Sequence, residues 1–157
     1  QVGALDLVAR DLRARLGMLV YSLSWFNLPL LDESGADVNA RFGADEHRFG
    51  IHAGDVETSM MLALAPQRVR MARAADFPSA SRTRAPQFDI LGNGRSAKLA
   101  WMMQDYNPQG ATGNAAAATV EKGQALVGAA GRALAALLLE VDRLPPDTLA
   151  ERTAFDY

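Results

Sequence analysis

Gly17 separates two segments of opposite rhythm, and that junction constrains the fold more than any other stretch. Upstream, Leu5, Val8, Leu12 and Leu16 recur at helical spacing, with Asp6, Arg10, Asp11 and Arg13 mostly off that face. This predicts an amphipathic helix that the glycine ends. Downstream, residues 18–23 read MLVYSL, a short and nearly all-apolar run that suits a buried strand. Helix followed by buried strand is the signature of an α/β domain, with a parallel or mixed sheet as its consequence. The 157 residues fit one domain.

The rest of the chain is read from its breakers. Residues 25–50 hold Pro29, Gly35, Gly43 and several acids. They read as a long excursion with one short helix around 37–42, and a loop of that length commonly covers a site. Residues 57–64 form a helix whose buried side is Met60, Met61 and Leu64, and Pro66 stops it. A second short helical piece is expected at 67–73 and loop at 77–94. A strand is a candidate at 97–103 (AKLAWMM), and a turn at Asn107-Pro108-Gln109-Gly110. From about 116 to 144, Val120, Val127, Leu134, Leu137, Leu138 and Val141 keep a helical period until Pro145-Pro146. Gly123, Gly128 and Gly131 each cost that helix ~1 kcal/mol relative to alanine, so close packing against a neighbour is their expected reason.

Composition narrows the partners. A net charge of -2 gives no reason to expect nucleic acid or an anionic membrane. No apolar run approaches the ~18–20 residues of a membrane span. The absence of cysteine excludes a disulfide framework and thiolate metal sites, and is compatible with a cytoplasmic protein. There is no signal-peptide pattern.

Chemistry is best placed in GIHAGDVETSMML, residues 50–62. His52 lies between glycines just before a helix, so its ring is not committed to a helix face. Gly54 lets a substrate or backbone approach closely. Glu57 falls in or just before the first helical turn, where the dipole favours a carboxylate. A carboxylate beside His52 favours the imidazolium and orients the ring, which is what a general acid requires. The plainer reading has Asp55 or Thr58 capping the helix, Glu57 serving its N-terminus, and His52 satisfied by backbone in a turn. A cluster of Asp45, His47, His52 and Glu57 fits no standard zinc spacing. LGNGRSA lacks the strand and helix that a phosphate loop needs. Trp25 follows the expected strand, where ligands collect in open α/β sheets, although packing alone also explains it.

These residues resemble a known family. HAGDVETSMMLALAPQRVRM is similar to the His-Ala-Gly-x-x-Glu-Thr-Ser segment of the creatininase (creatinine amidohydrolase) family. GATGNAAAATVEKGQAL resembles the glycine turn and Ala-Thr/Ser-x-Glu-Lys-Gly that open the family's last helix. The first helix and GMLVYSLSWF are similar to the elements after its Asn-Gly-His-Gly-Gly-Asn region. The resemblance implies a three-layer α/β/α domain with a central mixed or mostly parallel sheet. It implies hydrolysis of amide-type C–N bonds in cyclic amides, formamides or similar small molecules. One or two divalent metals (zinc, manganese or iron) would make water nucleophilic. His52 would protonate the leaving nitrogen and Glu57 would hold and charge that histidine. Homo-oligomers are common in the family.

The family's metal ligands lie in an N-terminal stretch that this chain does not contain. It therefore reads as the C-terminal part of such a domain, with no initiating methionine, and as inactive alone. Creatininase itself places Trp and Asp shortly before this histidine. Here Arg48, Phe49 and Gly50 stand there, which argues against creatinine, and Arg48 suits a carboxylate or phosphate on the substrate. The other reading is a non-catalytic module that keeps the fold and binds a partner or small ligand.

Overall fold

The computed structural model describes residues 2–150. In chain order its elements are α1 (Val2–Leu16), α2 (Ala44–Phe49), α3 (Asp55–Leu64), β1 (Asp76–Phe77), α4 (Ala80–Arg84), β2 (Gly113–Asn114) and α5 (Val120–Asp142), joined by short 3-10 turns. Of the described residues, 30–129 form one compact unit, and those on either side of them form another.

The unit of residues 30–129 carries most of the core: Leu30, Val38, Phe42, Ala111, Ala115, Ala118, Leu126 and Ala129. Asp37 begins it by accepting the Asn39 N–H (2.8 Å), which caps the turn Val38–Arg41 and turns Val38 and Phe42 inward. This is the short helix expected around 37–42. Just upstream, the Asp32 carboxylate accepts the Ser34 hydroxyl (2.6 Å), the Ser34 and Ala36 N–H groups, and Arg41 (3.0 Å). These bonds, the Ser34 hydroxyl foremost, lower its pKa from 3.8 to about 2. A depressed folded-state pKa gives stability that is complete above about pH 4 and lost as pH falls through about 2. In urea unfolding, the stability deficit of Asp32→Asn is expected to shrink across that interval. A deficit that is constant with pH would contradict the ionised loop.

The sheet is the main departure from expectation. Among the described residues the only sheet is β1 paired antiparallel with β2, Asp76 opposite Asn114 and Phe77 opposite Gly113. Thr112, just before β2, is bridged to His52. Residues 18–23 and 97–103 are not strands. Apolar composition does not make a strand; pairing does, and no described segment pairs with either run. Met18, Leu19, Tyr21, Leu23, Leu99, Trp101 and Met102 stay exposed. The described residues thus mix helix with a little strand and do not themselves make the three-layer sandwich.

Gly17 ends α1 at φ +64°. Leu5, Val8 and Leu16 on the expected buried face remain exposed, however. Pro66 follows α3 and opens the first of two 3-10 turns, Pro66–Arg68 and Met71–Arg73. The loop expected at 77–94 contains α4, capped by Ser79 on the Ser81 N–H (3.2 Å). Asn93 in LGNGRSA folds back on the Arg95 and Ser96 N–H groups, a local turn rather than a phosphate cradle.

α5 is long and apolar enough to cross a membrane by length and composition, contrary to the sequence expectation. Its first half is instead committed to packing. A Cβ at Gly123 would collide with the Ser59 carbonyl and lie 3.0 Å from the Ala63 Cβ. That contact is why glycine is tolerated there, whereas Gly131 has open space around it. Gly123→Ala is expected to destabilise by about 2 kcal/mol through overpacking, read by denaturant titration. Gly131→Ala should stabilise slightly through helix propensity.

Candidate active site

The site is assembled on the turn between α2 and α3. Gly54 is the N-cap of α3 and offers no capping side chain. Ala53, just before it, adopts φ +57°, a left-handed conformation costing about 1–2 kcal/mol for a residue with a Cβ. The turn is held by Glu57, whose Oε2 accepts the Ala53 N–H at 2.6 Å. The Thr58 hydroxyl adds a bond to the Ala53 carbonyl (3.3 Å). This is one half of a capping box, displaced by one residue: a carboxylate three residues into the helix reaches back to the backbone before it.

The same Glu57 Oε2 lies 3.3 Å from His52 Nδ1. The ring's side chain is 58% exposed and that of Glu57 52%. The His52 backbone is equally fixed, since its carbonyl accepts the Thr112 N–H at 2.8 Å. Ile51 N–H meets the Thr112 hydroxyl at 3.0 Å, and Thr112 is fully buried. A carboxylate facing Nδ1 favours a proton on that nitrogen. In the imidazolium, Nε2–H then remains free to be given away. The sequence paired these two side chains, and the structure brings them together. The plainer reading holds only in part: Glu57 does serve the start of α3 through the Ala53 N–H, but neither Asp55 nor Thr58 caps it, and the His52 ring faces a side chain rather than backbone.

Other candidates scatter. His47 Nε2 lies 2.9 Å from the Asn39 carbonyl, and Asp45 pairs with Arg82 at 2.7 Å. Among the described residues no group of three or more His, Asp or Glu is arranged to hold a metal ion. These residues do not themselves make the divalent centre that the resemblance implies. Arg48 is exposed, its guanidinium 4.9 Å above the Phe49 ring. Gly54 is buried, and what approaches it closely is the Glu46 carboxylate. Trp25, in the turn Trp25–Asn27 of the other unit, meets Phe26 edge-on at 5.8 Å.

Two features were missed. Asp55 points inward, its carboxylate 2.7 Å from Lys122 Nζ and accepting the Ser59 hydroxyl at 3.0 Å. Ser59 Oγ in turn accepts the Thr119 N–H, and Lys122 also reaches the Ala117 carbonyl. This buried network ties the start of α3 to the start of α5. Glu46, on α2, accepts the Val56 N–H (3.2 Å) and the Asn114 N–H (3.0 Å). Its signal was legible: Gly43 followed by two acids within one turn is a helix start.

A family model described as creatinine amidohydrolase matches residues 1–138. No curated protein matches the chain. Among solved structures, a candidate creatinine amidohydrolase from Bacteroides fragilis is 26% identical with a TM-score of 0.60, and the match covers 88% of this chain and 49% of that one. A mutant creatininase of Zn-Zn type is 24% identical (TM-score 0.58; 91% and 51% covered). A manganese creatininase is 23% identical (TM-score 0.52; 91% and 51% covered). The chain spans about half the length of these structures. At that identity the two creatininases speak for the fold alone, while the family model takes in the helix before Gly17, the His52–Glu57 turn and most of α5: the chain belongs to the creatininase family.

Proposed function

We propose that the protein of which these residues form part is an amidohydrolase acting on a C–N bond of a small molecule, with His52 as the acid that protonates the departing nitrogen. The observation that carries this reading is the 3.3 Å approach of Glu57 to Nδ1 of an exposed, backbone-fixed imidazole. An amide nitrogen is a poor leaving group until it is protonated, so a positioned donor contributes where the barrier is highest. Glu57 faces Nδ1 and orients the ring, and the Thr112 bridge fixes the His52 backbone. Cyclic amides and formamides are the substrate class, and Arg48 favours a substrate bearing an anionic group. In this proposal the whole domain completes the three-layer α/β/α arrangement. Its divalent ion, zinc, manganese or iron, is held by residues other than those described.

The test is hydrolysis profiling of the whole protein against cyclic amides, formamides and short peptides, before and after dialysis against a chelator. Turnover of a small amide, abolished by the chelator and restored by zinc, manganese or iron, is the expected result. Absence of turnover against every C–N substrate in the metal-loaded protein would favour the non-catalytic module instead.

A further inference from the structure

We propose that Glu46 is a positioning residue for His52, acting as a two-pronged carboxylate clamp on the turn that carries the imidazole. The proposal rests on the amidohydrolase reading for its kinetic consequences, but its geometry stands on its own. One oxygen of Glu46 takes the Val56 N–H in the first turn of α3, and the other takes the Asn114 N–H in β2. Its backbone carbonyl also accepts the Gly50 N–H at 2.9 Å. His52 lies inside the segment so enclosed, between Gly50 and Val56, and is bridged across to Thr112. Glu46 thus joins the two ends of the His52 turn to the strand on which the turn leans.

The surrounding glycines point the same way. A Cβ at Gly113 would lie 2.6 Å from Glu46 Oε2 and 2.7 Å from the Gly54 Cα. At Gly54 it would lie 2.8 Å from the same oxygen, and at Gly50 3.0 Å from Glu46 Cδ. Three glycines crowd round Glu46, and a side chain at Gly54 or Gly113 would displace its carboxylate. Without a capping side chain on Gly54, the Val56 N–H depends on Glu46 for its partner. A carboxylate is a stronger acceptor than a neutral oxygen, and here it holds a turn already strained at Ala53. Ala53 is also where Glu57 anchors, so a turn released from Glu46 shifts Glu57 and the ring together.

Glutamine is the informative replacement. It keeps the shape but offers one acceptor oxygen for two N–H donors and turns its own NH2 toward the other. In the whole protein, Glu46→Gln is expected to lower kcat at least tenfold with KM within twofold. The His52 ring resonances of the folded protein should change from one set to an averaged or broadened set in the ¹⁵N NMR spectrum. Asp45→Asn, one residue away and paired with Arg82, should alter neither. Independently of any variant, the Val56 and Asn114 amides of the unaltered protein should exchange slowly with solvent. Glu46→Gln with unchanged ring resonances in its folded fraction overturns the proposal, even if the protein is less stable. So does free exchange of the Val56 amide in the unaltered protein. If no amide is hydrolysed by any form, the amidohydrolase reading falls, and the NMR and exchange results still decide the clamp.

Discussion

Replacing Lys122 with methionine is expected to cost about 3 kcal/mol of folding stability. The Asp55 side chain is 5% exposed, and that of Lys122 is 23% exposed. Methionine keeps the length and most of the volume of lysine but leaves the Asp55 carboxylate buried with the Ser59 hydroxyl as its remaining partner. Breaking one side of a buried pair is costly because the other charge has been removed from water without compensation. The reverse change is milder. Asp55→Asn preserves an acceptor for Ser59, and Lys122 can still reach the Ala117 carbonyl and water. That substitution should cost about 1 kcal/mol. A double-mutant cycle by denaturant titration measures the coupling. Equal costs for the two single changes would contradict the asymmetry in burial. The pair also bears on the site, because Asp55 is the first residue of α3 and follows the His52 turn directly.

What could be read from the sequence follows from how local each signal is. Gly17 and Pro66 end helices through their own backbone geometry, and both positions hold. His52 and Glu57 are five residues apart on a turn and a first helical turn, so their meeting needed only local geometry. The sheet was not legible in that way. MLVYSL carries the composition of a strand, but its hydrogen bonds would come from a partner segment elsewhere, and none of the described residues supplies one. Asp55 and Lys122 are 67 residues apart, and no local pattern announces that they meet. Glu46 stands between these cases. Its helix start was visible, but its role depends on Gly54 and Gly113 converging on it, which only the folded chain reveals. The glycines of α5 divide similarly: Gly123 has a packing reason, and Gly131 has open space.

His52→Ala in the whole protein is expected to lower kcat by about 10²- to 10⁴-fold on the best amide substrate. The ring is mostly exposed and its own hydrogen bonds to the core run through its backbone, so stability should change little. The loss therefore reports chemistry rather than folding. Its dependence on the leaving group separates proton donation from simple binding. An ordinary amine must be protonated as it departs, and the variant loses that assistance. A nitroanilide departs with little need of a proton, so the same variant should be nearly unimpaired on such a substrate. Glu57→Gln should fall between the two. Glutamine can still accept the Ala53 N–H, and so keep the turn, but as a neutral group it is a weaker partner for the Nδ1–H and holds the ring less firmly. If His52→Ala turned over both substrate classes at the unaltered rate, or lost both equally through KM, the imidazole would have no part in protonating the leaving nitrogen. A loss confined to poor leaving groups assigns that proton to Nε2, the nitrogen left free when Nδ1 faces Glu57.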